Sequence, residues 1–211
     1  MNAEIKPKKH FSMIRGFHLA DAFTLGNAAC GVGTVFLAMA FLRSGSLAHY
    51  LLAAALAPAA LAFDVLDGRV ARWRQTHSAL GRELDSLADV ISFGVAPAVL
   101  GFTLGLRGGW DMLILTYFVV CGVSRLARFN VTADALADAT TGKVKYFEGT
   151  PIPTSIAIVL LLGLAFYLGR TDEQLWFGAL RLGPATLHPL SLLYGLSGSA
   201  MISATLRIPK P

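Results

Sequence analysis

The sequence predicts an all-α integral membrane protein with six transmembrane helices, preceded by a short helix at the membrane surface. Three observations predict it. The 211 residues are 55% hydrophobic and only 15% charged, too apolar and too sparsely charged for an ordinary soluble domain. The apolar residues gather in runs long enough, at about 1.5 Å per residue, to cross a hydrocarbon core of about 30 Å. The basic residues fall in short segments between those runs, which is the membrane pattern. The net charge of +5 therefore does not point to nucleic acid.

In chain order, residues 1–20 carry Lys6, Lys8, Lys9 and Arg15 around Phe11, Met13, Ile14 and Phe17. Such a basic, partly amphipathic segment either lies on an anionic bilayer surface or anchors the topology. It lacks the compact apolar run of a cleaved signal peptide. Residues 22–42 form the first expected span, and its glycines suit close helix packing. Its Asn27 is more telling, because an amide within a span faces other helices or a cavity. Residues 47–73 form the second span, with Arg72, Trp73 and Arg74 marking the interface. A short connection leads to the third, 81–106, where Pro97 interrupts the helix ladder and predicts a kink. The fourth, 110–129, ends with Arg125 and Arg128 on a shared helical face.

Residues 130–150 read as a polar connection and 151–168 as the fifth span. Residues 169–184 read as a second loop, partly interfacial through Leu175, Trp176 and Phe177. Residues 186–206 form the sixth span. The expected division is thus a basic segment 1–20, a six-helix transmembrane domain 21–206 and a cytoplasmic tail 207–211. Cys30 and Cys121 lie in apolar runs without C-x-x-C spacing and read as small packing residues. The five histidines show no zinc-like spacing. Of the 18 Lys and Arg, only Arg43, Arg107, Arg170 and Arg181 fall on the side opposite the termini. The positive-inside rule then makes both termini cytoplasmic in a multi-pass cell-membrane protein.

The chemistry concentrates between residues 64 and 89: D-V-L-D-G-R-V-A-R, eight residues, then G-R-E-L-D-S-L-A-D. An acid at the middle of a membrane helix costs roughly 2.5–3.5 kcal/mol, so four would cost on the order of 10 kcal/mol without partners. Bound cations in a wet cavity offset such a cost; pairing with Arg69, Arg72, Arg74 and Arg82 is the alternative. At about 100° per residue, Asp64, Asp67, Gly68, Ala71 and Arg72 share one side of the first helix. Ser78, Gly81, Asp85 and Asp89 share one side of the second. In an antiparallel pair the carboxylates converge, and an all-oxygen ligand set suits Mg²⁺ or Mn²⁺ rather than zinc. Gly68 and Gly81 let a flat group approach the backbone. Asp89, one turn beyond Asp85, is placed to accept a proton, although spacing alone does not separate ligands from base.

These residues spell D-x2-D-G-x2-A-R-x8-G-x3-D-x3-D without departure. In this the chain resembles the CDP-alcohol phosphatidyltransferases, integral membrane enzymes of phospholipid synthesis. The resemblance implies that family's fold, a homodimer and two divalent cations, Mg²⁺ or Mn²⁺. It implies metal ligation by Asp64, Asp67 and Asp85, with Asp89 touching a metal and acting as base. It implies CDP-diacylglycerol contacts by Gly68, Arg72 and Ser78, with Thr24 and Asn27 at the start of the first span. Gly81 is assigned to the same pocket.

Three further blocks, S-F-G-V-A-P-A at 92–98, R-L-A-R-F-N at 125–130 and F-E-G-T-P-I-P at 147–153, are similar to the branch of the family that uses L-serine. That implies transfer of the phosphatidyl group from CDP-diacylglycerol to the serine hydroxyl, releasing CMP. Arg125 or Arg128 would hold the serine carboxylate and Glu148 its ammonium, with Asn130 in the same pocket. Glu83, Lys143 and Lys145 read as surface charges. Glycerol phosphate, inositol phosphate or choline are the alternative acceptors. A divalent-cation transporter is the reading from another class, though the paired repeats or broken helices of transporters are not visible.

Overall fold

The computed structural model describes residues 19–74, 79–136, 146–203 and 205–209. The surface segment expected over 1–20 therefore lies outside the described residues but for its last two, as do Ser78, Lys143 and Lys145. Helix α1 is Leu19–Ser44 and α2 Leu47–Arg74. Between them Gly45 takes a left-handed φ of +64°, and its N–H closes on Phe41 O at 2.7 Å. Glycine adopts that turn without the Cβ penalty.

The third apolar run is one passage made of three pieces. Helix α3 (Ala79–Asp89) runs into a π-helical segment (Val90–Val95) and then α4 (Ala96–Leu104). The Ala96 N–H reaches back five residues to Ile91 O. Pro97 follows with no N–H to offer, so the expected interruption is present, in the form of a widened π turn. Helix α5 is Gly109–Leu136, longer than the expected fourth span because it continues into the region read as a polar connection.

Four of these passages are long and apolar enough to cross a membrane: Ala20–Ser44, Leu47–Trp73, Leu80–Leu104 and Gly109–Val131. The last two expected spans are shorter helices. A 3₁₀ turn, Ile152–Ser155, leads into α6, Ile156–Tyr167. A second 3₁₀ turn, Pro189–Ser191, leads into α7, Leu192–Met201. The expectation of a continuous helix over 186–206 is corrected. Pro189 lacks the N–H a continuous helix needs, and the residues before it form an antiparallel hairpin. In it β2 (Leu180–Leu182) pairs with β3 (Ala185–Leu187), with Arg181 opposite Thr186. A second small pairing joins β1 (Tyr146–Glu148) to β4 (Arg207–Pro209). The fold is mostly helical, not purely so.

The core is aromatic at its centre. Tyr50 stacks on Phe166 at 4.0 Å between centroids, and Phe41 meets both edge-on. Tyr194 meets Phe118 edge-on and donates its hydroxyl to Pro97 O at 2.6 Å. Cys30 and Cys121 are buried and unpaired, as packing residues should be. Leu175, read as interfacial, is instead buried, while Phe177 is exposed.

At the end of the molecule away from the acidic residues, Asp111 is fully buried. It accepts the N–H groups of Gly108 at 2.9 Å and His188 at 2.8 Å, and it pairs with His188 Nδ1 at 2.6 Å. Trp110 Nε1 donates to Leu182 O at 2.9 Å. These bonds hold the hairpin against the start of α5.

Candidate active site

The acidic motif sits where α1, α2 and α3 meet. From the end of α2 and from α3, Asp64, Asp67 and Asp85 each offer a carboxylate oxygen, all within 4.8 Å of one another. Oxygens bound at about 2.1 Å to one hard cation stand up to about 4.2 Å apart, so a small closing of this set suffices. Asp67 and Asp89 are buried and Asp64 and Asp85 half-buried.

Helix α1 supplies the groups that orient them. Thr24 Oγ1 donates to Asp67 Oδ2 at 2.9 Å, and Asn27 Nδ2 donates to Asp89 Oδ1 at 3.2 Å. Asn27, fully buried, is itself fixed from below, because Ser92 Oγ donates to its backbone carbonyl at 2.7 Å. That bond requires α1 and the π segment to approach closely. A Cβ on Gly31 would stand 2.8 Å from Ser92 Cα, nearer than packed atoms tolerate.

Two buried oxygens in this cavity, Asp85 Oδ1 and Asn27 Oδ1, have no hydrogen-bond partner. Both accept only, so a cation or a donor is what satisfies them. The unpartnered acceptors and the all-oxygen donor set fit a hard divalent cation.

The other expected site residues divide into groups. Gly68 is half-buried, and a Cβ there would lie 3.8 Å from Arg72 Nη1. The exposed Arg72 guanidinium therefore folds back over the glycine one turn earlier. Gly81 is half-buried near the start of α3. Arg125, on α5, is half-buried; its guanidinium lies 5.6 Å from the Phe129 ring centroid and within electrostatic reach of Asp89. Its Nε is buried without a partner. Arg128 is exposed.

Asn130 is engaged with α3, donating to Ser86 Oγ at 3.0 Å and Glu83 Oε1 at 3.4 Å. Glu83 is exposed, as a surface charge should be. Glu148 lies on β1, its side chain outside what is described. After it Gly149, at φ +72°, turns the chain against α7, and Thr150 N–H donates to Ala200 O at 3.1 Å.

Two participants escape a reading of the sequence. Ser92 belongs to a recognised block but shows its purpose only through the bond to Asn27. Asp21 looks like the acid that bounds an apolar run, yet it is buried in the first turn of α1 at 4% exposure. The signal available for it was its spacing, one helical turn before Thr24.

Comparison with known proteins accords with this geometry. Residues 17–187 match the CDP-alcohol phosphatidyltransferase family. The chain is 44% identical over 204 residues to a CDP-diacylglycerol–serine O-phosphatidyltransferase of Saccharomyces cerevisiae, covering 96% of this chain and 74% of that protein. A protein of the same name from Helicobacter pylori is 37% identical over 154 residues, covering 69% of this chain and 61% of the relative. An archaetidylserine synthase of Methanothermobacter thermautotrophicus is 37% identical over 179 residues, covering 83% of this chain and 69% of the relative.

Proposed function

The chain belongs to the CDP-alcohol phosphatidyltransferase family, and from that premise we propose that it transfers the phosphatidyl group of CDP-diacylglycerol to L-serine, giving phosphatidylserine and CMP. The observation that carries the reading is the convergence of Asp64, Asp67 and Asp85 beside a buried, amide-oriented Asp89. The likeness along nearly the whole chain to a relative named for serine supports the acceptor.

In the proposed reaction Asp89 accepts the proton of the serine hydroxyl. Asn27 occupies its Oδ1, which leaves Oδ2 as the receiving atom. The serine oxygen forms a bond to the phosphorus bearing diacylglycerol. The bond from that phosphorus to the bridging oxygen breaks, and CMP leaves. Two divalent cations, Mg²⁺ or Mn²⁺, held by Asp64, Asp67 and Asp85 and touched by Asp89, supply charge neutralisation on the pyrophosphate when bound.

Arg72 adds a donor to the phosphates. Gly68 and Gly81 let the nucleotide lie against backbone, with Thr24, Asn27 and Ser78 completing that pocket. Arg125 is the leading group for the serine carboxylate, because its buried Nε awaits an acceptor. Arg128 and Glu148 are assigned to the same substrate, and Asn130 to bracing the pocket against α3.

The whole chain is read as six membrane passages over 21–206, with α6 and α7 and their 3₁₀ turns making the last two. The basic segment 1–20, the tail 207–211 and the site face the cytoplasm, and the working unit is a homodimer. The test is CMP release by the purified protein in detergent with CDP-diacylglycerol and Mn²⁺ or Mg²⁺. Serine, inositol phosphate, glycerol phosphate and choline are offered in turn. Release with serine alone is expected; release with another alcohol instead would overturn the acceptor and leave the aspartate chemistry standing.

A further inference from the structure

The buried side-chain atoms that lack a partner among the described residues fall into two sets. Asn27 Oδ1 and Asp85 Oδ1 accept only and belong to the cation side of the site. The other set is Arg125 Nε, Thr150 Oγ1 and Ser155 Oγ. Arg125 comes from α5, and the two hydroxyls come from the chain that leads into α6. Each of these three groups can donate.

Ser155 is fully buried at the start of α6, yet its side chain does not cap the helix. Serine at such a position ordinarily serves the free N–H groups there. The neighbouring Thr154 hydroxyl is exposed and donates to Pro151 O at 2.7 Å. The turn is thus closed without help from Ser155.

This turn is seated against the elements that carry Asp89 and Arg125. Ile152 Cδ1 would stand 3.8 Å from a Cβ on Gly94 and 2.8 Å from one on Gly122, so Ile152 fills the seam between the π segment and α5. In a 3₁₀ turn residues three apart stand on one face, so Ser155 faces the same way as Ile152. The π segment begins directly after Asp89, and Gly122 lies one helical turn before Arg125. A long side chain on a helix leans over the preceding turn, which brings Arg125 back toward the level of Ile152.

We propose that Ser155 and Thr150 join Arg125 in holding the carboxylate of the acceptor amino acid. A cation flanked by two hydroxyl donors suits an anion with several free lone pairs, and the start of α6 favours negative charge. An alcohol without a carboxylate leaves these buried donors unpaired, which is how a polar pocket rejects it. The inference rests on the serine reading given above and adds two residues to it.

The test is the steady-state kinetics of CMP release by the purified protein, beside its melting temperature without serine. Ser155→Ala and Thr150→Val remove the hydroxyls with little change of shape. Each is expected to raise KM for serine about tenfold, as befits a hydrogen bond to a charged group. The kcat and the KM for CDP-diacylglycerol are expected to stay at the parent's values, the mark of lost ground-state binding. Thr150→Ser, which keeps a hydroxyl, is expected to restore the parent's KM. Inhibition by 2-aminoethanol, which lacks the carboxylate, is expected to be the same in parent and variants. Neither variant is expected to melt below the parent, because each loses a buried polar atom without a partner.

An unchanged KM for serine in Ser155→Ala would overturn the proposal, and a lower melting temperature with it would make the hydroxyl a part of the fold. Equal weakening toward serine and 2-aminoethanol would overturn the carboxylate as the group held. Should Ser155→Ala not fold, Thr150→Val carries the same expectations. Failure of the parent to release CMP with serine would overturn the acceptor reading itself, a result distinct from equal KM values in parent and variant.

Discussion

A single amide decides much at Asp89. Because Asn27 holds one carboxylate oxygen at 3.2 Å, the proposed base has a fixed orientation before any alcohol arrives. Asp89→Asn keeps the size and loses the basic oxygen. Turnover is expected to fall by about 10²–10⁴, the usual worth of a positioned base, while Mn²⁺-dependent retention of CDP-diacylglycerol survives; CMP release and a lipid-binding assay read the two separately. Loss of both together would make Asp89 chiefly a ligand. At this scale the sequence was highly legible where polar residues interrupt apolar runs, since each such residue is too costly to be incidental. It was poorly legible at Asp21, because an acid at the border of an apolar run looks the same whether it faces water or folds inward.

Among the elements, the contact of α1 with the π segment carries the site. Gly31 permits it, and Ser92 uses it to hold the Asn27 carbonyl. Gly31→Ala would set a Cβ 2.6 Å from Ser92 Oγ, so α1 or the π segment must shift. The expected cost is about 1–3 kcal/mol of stability, visible as a lower melting temperature in detergent together with slower CMP release. An unchanged melting temperature would mean that α1 does not seat that closely. Pro97 announced an interruption in the sequence, but the π geometry depends on where the Ala96 N–H finds its acceptor, which no pattern of residue types specifies. The β2–β3 hairpin was hidden for a related reason. Its strands straddle the border between the expected loop 169–184 and the apolar run that follows, and the hairpin is tied down by Trp110 and Asp111 on a distant helix.

Considered as a whole, the molecule offers a direct check of its orientation in the bilayer. Cys30 and Cys121 are both buried, so a thiol introduced at the surface reports with little background. Trp73 and Phe177 are exposed, at 80% and 78%, and are assigned to opposite faces of the membrane. In sealed cells an impermeant thiol reagent is expected to label Phe177→Cys directly and Trp73→Cys only after the membrane is opened. The reverse pattern would invert the topology. Six apolar runs were legible from composition, but their lengths as helices were not, because proline and glycine placement trims α6 and α7 in ways hydropathy does not register.

That trimming has a consequence for the surrounding lipid. The helical stretch Ile152–Tyr167 measures about 24 Å or slightly more at 1.5 Å per residue, against a hydrocarbon core of about 30 Å. Helices α1, α2 and α5, of 26, 28 and 28 residues, match or exceed the core. Should α6 be one of the proposed passages, the bilayer beside it would have to thin, and acyl chains there would bend or splay. Membrane thickness would then bear on the proposed reaction through two short helices that carry none of the clustered carboxylates.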